Sequence, residues 1–548
     1  MKIFKTMPDR LRVELAAALC LLTLTLIVFV VVNPFNSALD DWAVIFTTKP
    51  GVASTITRYA GRPFSFDGIL LANLLFNGQV QGIFIVHVVS IFLTAFCLFH
   101  LVTRLIPNQT AFAFLVASLY LFYLPINVSQ IMAVQFEIYS WACMVAVVAM
   151  TLFTEQALIK GWSAALILAF ACVFGYVAVL SYESTFPLLL LAPVILFIVQ
   201  RKFSRHFVAS ALIWYVGISI AFLQFVIPYL HGDSTQVYQE TYFKPVRSVS
   251  AFLSNTLAFS YLNFPVSSLI KDFGDFFASP YLTTAIVLGL IGLVVWRIFS
   301  IIAHTTYPVL SLRELLLILI VGFVAIAAGG IVYIYANFLV PRSVTFSAIG
   351  EAVVLSAAIC LLDVIIQRFF AVRPGLIIVG ALSVLFCVGC YWYYHDNANA
   401  PEPYDFTQQA VFFREFVSLI PDVKSPTLIY YQCDTSDTKV STRYQSETGD
   451  VYGIRYLYDD RANFRKTNEL SFNAQDITVA SSYGDLLGPI LPKRYGYDQL
   501  VVVACTPDGL TIVDPLPAAL AQGENAYNPY QRIVYDYINP SQARILAP

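Results

Sequence analysis

The sequence predicts a polytopic α-helical membrane protein with about eleven transmembrane helices and a small soluble α/β C-terminal domain, and three observations carry this. Of 548 residues, 58% are hydrophobic and only 12% charged, with a mean hydropathy of +0.72. Soluble chains carry about twice that charged fraction. Apolar runs close to the length that crosses a bilayer recur through residues 1–395. The charge then changes sign: residues 1–395 hold 20 Lys+Arg against 15 Asp+Glu, and residues 396–548 hold 12 against 19. No basic stripe of the kind that neutralises nucleic-acid phosphates is present, so no nucleic-acid partner is expected.

The first run follows Lys2, Lys5, Arg10 and Arg12 and extends from Val13 to Val32. It is longer than a secretory apolar core and no small-residue cleavage site follows it, so it reads as an uncleaved first helix. The expected spans are 13–33, 81–103, 111–126, 138–158, 163–181, 185–200, 207–230, 281–303, 314–335, 348–366 and 375–394. The third, fifth and sixth are short or interrupted by proline, which leaves the count open by one or two.

Orientation follows from the placement of basic residues. Arg104, Lys160, Arg201, Lys202, Arg205, Arg297, Arg313, Arg368 and Arg373 all fall in loops on the side of the N-terminus, whereas 127–136 and 182–184 contain no Lys or Arg. The positive-inside rule puts the N-terminus in the cytoplasm, and eleven crossings put the C-terminus outside. Two longer outer segments remain, residues 34–80 and 231–280. Residues 395–401 read as a linker into the tail, residues 396–548. The tail has a helix candidate at Thr407–Leu419 and buried-strand runs at Leu428–Gln432, Leu500–Ala504 and Leu510–Val513.

Of nine cysteines, Cys20, Cys97, Cys143, Cys172, Cys360, Cys387 and Cys390 lie in apolar runs, where cysteine acts as a small hydrophobe. Cys433 and Cys505 lie in the polar tail, and outside the cytoplasm they are a candidate disulfide.

The most informative segment runs from Asn36 to Trp42 and contains the adjacent acids Asp40 and Asp41, just past the outer end of the first helix. Carboxylates beside a membrane act as general bases or hold a metal. Arg58 and Gly61-Arg62-Pro63 follow in the same loop, and arginines bind phosphate bidentately. The bland alternative is a solvated acidic turn anchored by Trp42. Glu183, in a very short outer turn after Tyr182, is costly so near lipid unless paired or wet. Glu137 opens the fourth span, where a helix dipole alone would favour it. Trp42 and Tyr182 suit stacking on a sugar ring, or anchoring at the interface.

An acidic pair in the first outer loop, followed by Gly61-Arg62-Pro63 on a many-helix chain with a soluble tail, resembles the GT-C superfamily of membrane glycosyltransferases. The likeness is to bacterial O-antigen and polysaccharide-modifying glucosyltransferases and, more distantly, to protein O-mannosyltransferases and lipid A aminoarabinose transferases. The resemblance implies a hexosyltransferase with a polyprenyl-phosphate sugar as donor and a cell-surface glycan or lipid-linked molecule as acceptor, reacting with inversion. Asp40 or Asp41 would be the general base. The leaving lipid phosphate needs cationic or metal stabilisation; Arg58, Arg62, Lys244, Arg247 and Arg342 are the candidates, with Mg or Mn as the candidate cofactor. Trp42, Glu137, Tyr182 and Glu183 would line the substrate cavity. The implied location is a bacterial inner membrane with residues 396–548 in the periplasm, and a flippase and a donor-lipid synthase are candidate partners.

The competing class is a transporter or lipid flippase, which places ionisable or helix-breaking residues in mid-span. Here few polar residues are evident in mid-span. A non-catalytic assembly protein is a third reading, in which the acidic pair would be expendable. No Gly-rich phosphate loop, zinc motif or serine nucleophile elbow occurs.

Overall fold

In a computed structural model the described residues are 8–27, 62–77, 79–127, 133–200, 204–230, 248–263, 281–303, 310–336, 345–370, 406–423 and 426–433. In the rest of the tail they are 454–455, 457–458, 462–466, 470–472, 476–479, 494–496, 499–506 and 509–513.

Helix α1 covers Asp9–Leu26, the short α2 covers Asp67–Leu75, and α3 and α4 follow at Val80–Leu105 and Thr110–Asn127. Next come α5 (Ala133–Gln156), α6 (Trp162–Ser181), α7 (Thr185–Gln200) and α8 (Arg205–Leu230). α9 is Val249–Asn263, α10 Tyr281–Ile302, α11 Leu312–Ala336 and α12 Ala348–Phe370. Among the described residues, six of these helices (α3, α5, α6, α8, α11 and α12) are long and apolar enough to cross a membrane. The protein is therefore a polytopic helical membrane protein. Helices fall on ten of the eleven expected spans; the last, 375–394, lies outside the described residues. Segments 34–80 and 231–280 contain α2 and α9.

Local chemistry sets the breaks. Asn77 (φ 52°) turns the chain between α2 and α3, and Asn108 (φ 68°) between α3 and α4; asparagine tolerates the left-handed region better than other side-chained residues. Gly161, at φ 82°, precedes α6 where a side chain would be strained. Pro193 sits inside α7, a position membrane helices tolerate when neighbours satisfy the freed carbonyl.

Glycines let α11 and α12 approach closely. A Cβ on Gly350 would come 2.5 Å from the Ile326 nitrogen, and one on Gly329 would come 2.6 Å from the Phe346 backbone. Small residues permit such contact where water provides no drive for association. At the end of the bundle where α1 begins, His100 Nε2 lies 2.7 Å from Glu155 Oε1 and His100 Nδ1 3.6 Å from Glu14. Arg104 also pairs with Glu155, so α1, α3 and α5 are tied together there.

The tail begins with α13, Phe406–Leu419, followed by β1 (Thr427–Cys433), β2 (Ala462–Lys466) and β3 (Leu470–Phe472). Then come β4 (Ile477–Val479), β5 (Arg494–Tyr495), β6 (Leu500–Thr506) and β7 (Gly509–Ile512). The main sheet has the order β2-β1-β6-β7, with β1 parallel to both β2 and β6 and β7 antiparallel at the edge. The three strand runs read from the sequence are β1, β6 and β7. A parallel strand covered on both faces reads as an unbroken apolar run, and Leu428, Ile429, Tyr430 and Tyr431 are all buried. Ile429, Tyr431, Val501 and Val503 meet Phe412, Phe413 and Phe416 of α13 in one cluster. Leu428, Tyr430 and Val502 face Ile477, Val479 and Tyr495 of the second sheet, β3-β4-β5.

The α13 cluster does not stop at the tail. It continues into Phe66, Ile69 and Ala72 at α2 and into Ile83 and Val86 of α3. The tail therefore packs on the end of the bundle opposite the His100–Glu155 tie.

Candidate active site

The segment 62–68 is a strap laid across the ends of α5 and α6. Arg62 opens it, and donates from Nε to Glu183 Oε2 (2.8 Å) and from a terminal nitrogen to Oε1 (2.6 Å). Ser65 Oγ donates back to the Arg62 carbonyl, and Ser181 Oγ, at the end of α6, donates to the Phe64 carbonyl. The strap ends at Gly68, packed so closely on α5 that a Cβ there would lie 2.1 Å from Glu137 Oε1.

Glu183 sits in the three-residue turn between α6 and α7, held because Thr185 donates from both N and Oγ1 to the Tyr182 carbonyl. The Arg62 guanidinium carbon stands 4.2 Å from the centre of the Tyr182 ring, so the cation is paired on one side and stacked on the other. Burial opposes the guanidinium charge, but the adjacent Glu183 carboxylate outweighs it and holds the Arg62 pKa above its ordinary value. Tyr182 donates to Tyr139 Oη (3.3 Å) and packs on Phe346 and Tyr333, with ring centres 5.2 and 6.5 Å away. This box is closed: Tyr139, Tyr182, Tyr333 and Phe346 are all buried.

A second polar group lies beneath the strap. Glu137 accepts from Ser140 Oγ (3.0 Å) and Ser90 Oγ (3.4 Å), and His87 Nδ1 stands 3.4 Å from it and 3.0 Å from Ser140 Oγ. All four residues are buried, with Glu137 at 0% exposure. On α12, Glu351 is equally buried and accepts from Ser347 Oγ at 3.0 Å. Asp67 follows the strap's aromatic pair, half-buried at the start of α2, and burial pushes its carboxyl up to about 6. Bringing these groups together gathers carboxylates from four separate elements, with one fully engaged arginine, at a single end of an apolar bundle.

Of the residues singled out in the sequence, Arg62, Glu137, Tyr182 and Glu183 converge here. Asp40, Asp41, Trp42, Arg58, Lys244, Arg247 and Arg342 lie outside the described residues. In the tail Cys505 is disulfide-bonded, and the residue paired with it in register on β1 is Cys433. The sequence reading missed Asp67, His87, Glu351 and the buried Asp363 of α12. An ionisable residue inside an apolar run was the available signal, and it corrects the impression that the spans hold few such groups. Among the described residues no group of three or more His, Cys, Asp or Glu could hold a metal ion.

Fold and site thus define a polytopic membrane protein whose buried Glu137, Glu183 and Glu351 gather at the end that carries its sheet-bearing tail. No protein-family model and no curated protein matches the chain. Among solved structures it is similar to ArnT from Cupriavidus metallidurans in the apo state, at 15% identity and a TM-score of 0.39, over 81% of this chain and 84% of that one. It is also similar to the archaeal oligosaccharyltransferase AglB from Archaeoglobus fulgidus, in complex with an inhibitory peptide and a dolichol-phosphate. There the identity is 11% and the TM-score 0.42, over 82% of this chain and 64% of that one. At these identities and TM-scores neither likeness assigns an activity to this chain.

Proposed function

We propose that the chain is a membrane glycosyltransferase of the GT-C kind, a hexosyltransferase that uses a polyprenyl-phosphate sugar and acts at the end of the bundle beneath the tail. The observation that carries this reading is the convergence of Arg62, Glu137, Glu183 and Glu351 at one end. Chemistry at one membrane face needs ionisable groups there, whereas alternating access needs them near mid-span. The strap that builds this end is the continuation of the loop bearing Asp40 and Asp41.

In the proposed reaction an acceptor hydroxyl on a cell-surface glycan or lipid-linked molecule attacks the anomeric carbon with inversion. Its proton passes to Asp40 or Asp41. The bond from the sugar to the lipid phosphate breaks, and the electron pair leaves on the phosphate oxygen. Arg58, Lys244, Arg247 and Arg342 are the proposed counter-charges for that oxygen. Arg62 is already neutralised by Glu183, so its proposed role is to fix the strap rather than to meet phosphate alone. Eleven crossings, a cytoplasmic N-terminus, a periplasmic domain at 396–548 and a bacterial inner membrane belong to the same proposal, as does a Cys433–Cys505 disulfide.

The test compares cells carrying wild type, Asp40→Asn and Asp41→Asn at matched expression, with surface glycans and lipid-linked sugars analysed by mass spectrometry. Loss of one sugar residue with accumulation of the polyprenyl-phosphate sugar supports the reading. Unchanged glycans in both variants sink it. Buried Asp363, within α12, favours transport as the second reading. That reading gains if glycans are unchanged while Asp363→Asn alters lipid or solute distribution.

A further inference from the structure

Between α3, α4, α5, α7, α11 and α12 lies a cavity of about 120 Å³ in which every lining side chain is apolar. One end is closed by the buried Leu188 and Ala325 and by Ile349, three residues past Phe346 of the aromatic box. Toward the opposite end the walls become half-exposed, at Leu105 of α3, Ile195 and Ile198 of α7, and Leu317 and Val321 of α11. These residues lie on apolar helices, so the mouth suits hydrocarbon better than water. A dry apolar void of similar size, about 150 Å³, takes up an apolar guest, and water there would find no hydrogen-bond partner.

Beside the mouth stands a charge. Arg313 is exposed and makes no ion pair with a described residue. It precedes Leu317 and Val321 by four and eight positions, so all three share one face of α11. A helical Cα–Cβ bond tilts toward the helix N-terminus, while Leu317 and Val321, further along α11, line the cavity. A molecule that satisfies both has an anionic head and a hydrocarbon tail.

We propose that this is a binding site for an anionic glycerophospholipid, with its phosphate at Arg313 and the end of one acyl chain in the cavity. The site lies at the opposite end of the bundle from the Arg62–Glu183 pair and is independent of the proposed reaction.

Native mass spectrometry of the full chain, reconstituted in nanodiscs of phosphatidylglycerol or phosphatidylcholine, tests it with wild type, Arg313→Gln and Ile195→Trp. Wild type is expected to retain phosphatidylglycerol about fivefold better than phosphatidylcholine, and Arg313→Gln to remove that preference. Ile195→Trp, which plugs a half-exposed part of the mouth, is expected to lower retention of both lipids by about tenfold. Ile198→Trp is a second plug should the first disturb folding. Undiminished retention in both plugged variants would overturn the cavity as the site. Equal retention of the two lipids by wild type, or a preference that survives Arg313→Gln, would overturn the headgroup contact.

Discussion

Arg62 and Glu183 form a two-point ion pair, 2.8 and 2.6 Å, between residues 121 positions apart. Removing one partner leaves the other charge buried, so Arg62→Met or Glu183→Leu alone is expected to cost about 3–5 kcal/mol, while the double variant recovers most of that. Thermal unfolding in detergent measures it. A stable double variant that keeps the glycan product of the proposed reaction shows the pair to be a clamp; a stable one that loses it shows that Arg62 or Glu183 acts on substrate.

Gly68 touches the Glu137 carboxylate. Gly68→Ala would place a methyl 2.1 Å from Oε1 and 3.0 Å from the Trp141 ring, and about 1–3 kcal/mol of destabilisation is expected from the overpacking. Adding Glu137→Ser should recover stability, because the contact is with the far part of that side chain. No recovery in the unfolding midpoint would show that the strap itself, and not the carboxylate, resists the methyl.

Asp67 carries a pH signature. Burial raises its carboxyl from 3.8 to about 6, so the folded state holds the proton more tightly than the unfolded chain. The neutral form suits the fold: its penalty is absent below pH 4, grows between pH 4 and 6, and is full above that. After discounting for its solvent-exposed part, Asp67→Asn should stabilise the protein by about 1 kcal/mol at pH 7.5 and by nothing at pH 3.5. Unfolding midpoints across that range give the answer, and a pH-independent difference would rule out titration as the cause.

Two neighbouring glycines should respond differently. A Cβ on Gly329 meets the Phe346 and Ser347 backbone at 2.6 Å, whereas the nearest atoms to one on Gly330 belong to the Phe259 ring, at 2.1 Å. Backbone cannot yield, so Gly329→Ala is expected to cost more than about 3 kcal/mol. Gly330→Ala should be rescued by Phe259→Leu, which frees space at α9. The ratio of folded to aggregated protein after detergent extraction separates the two.

The Cys505 bond can be read by peptide mapping without reduction, with a Cys433–Cys505 linked peptide as the expected product. Cys433→Ser is expected to destabilise the tail by about 4 kcal/mol through lost loop closure. A Cys505 linked to another cysteine would overturn the pairing, and limited proteolysis of the tail would report the stability change.

The bundle's helices were legible because the information is local. A run such as Val80–Leu105 or Leu312–Ala336 fixes a helix once lipid is the solvent, since every backbone group must bond within the segment. The strands β1, β6 and β7 were legible for a related reason, being apolar runs covered on both faces. β2, whose Asn463, Arg465 and Lys466 interrupt any such run, was not.

Residue type and position also pointed to Arg62, Glu137, Tyr182 and Glu183, but not to what each would meet. That Arg62 would spend its charge on Glu183, that Gly68 would seal Glu137, and that Phe66 would join the tail's core were decided by packing. These contacts link segments far apart in sequence, and they depend on how closely α11 and α12 or α5 and α6 approach. The sequence by itself determined which segments are apolar enough to form the bundle's long helices, and it singled out Arg62, Glu137, Tyr182 and Glu183. Only the tertiary structure decided their partners, because pairing is a property of distance in space, and composition along the chain carries no record of it.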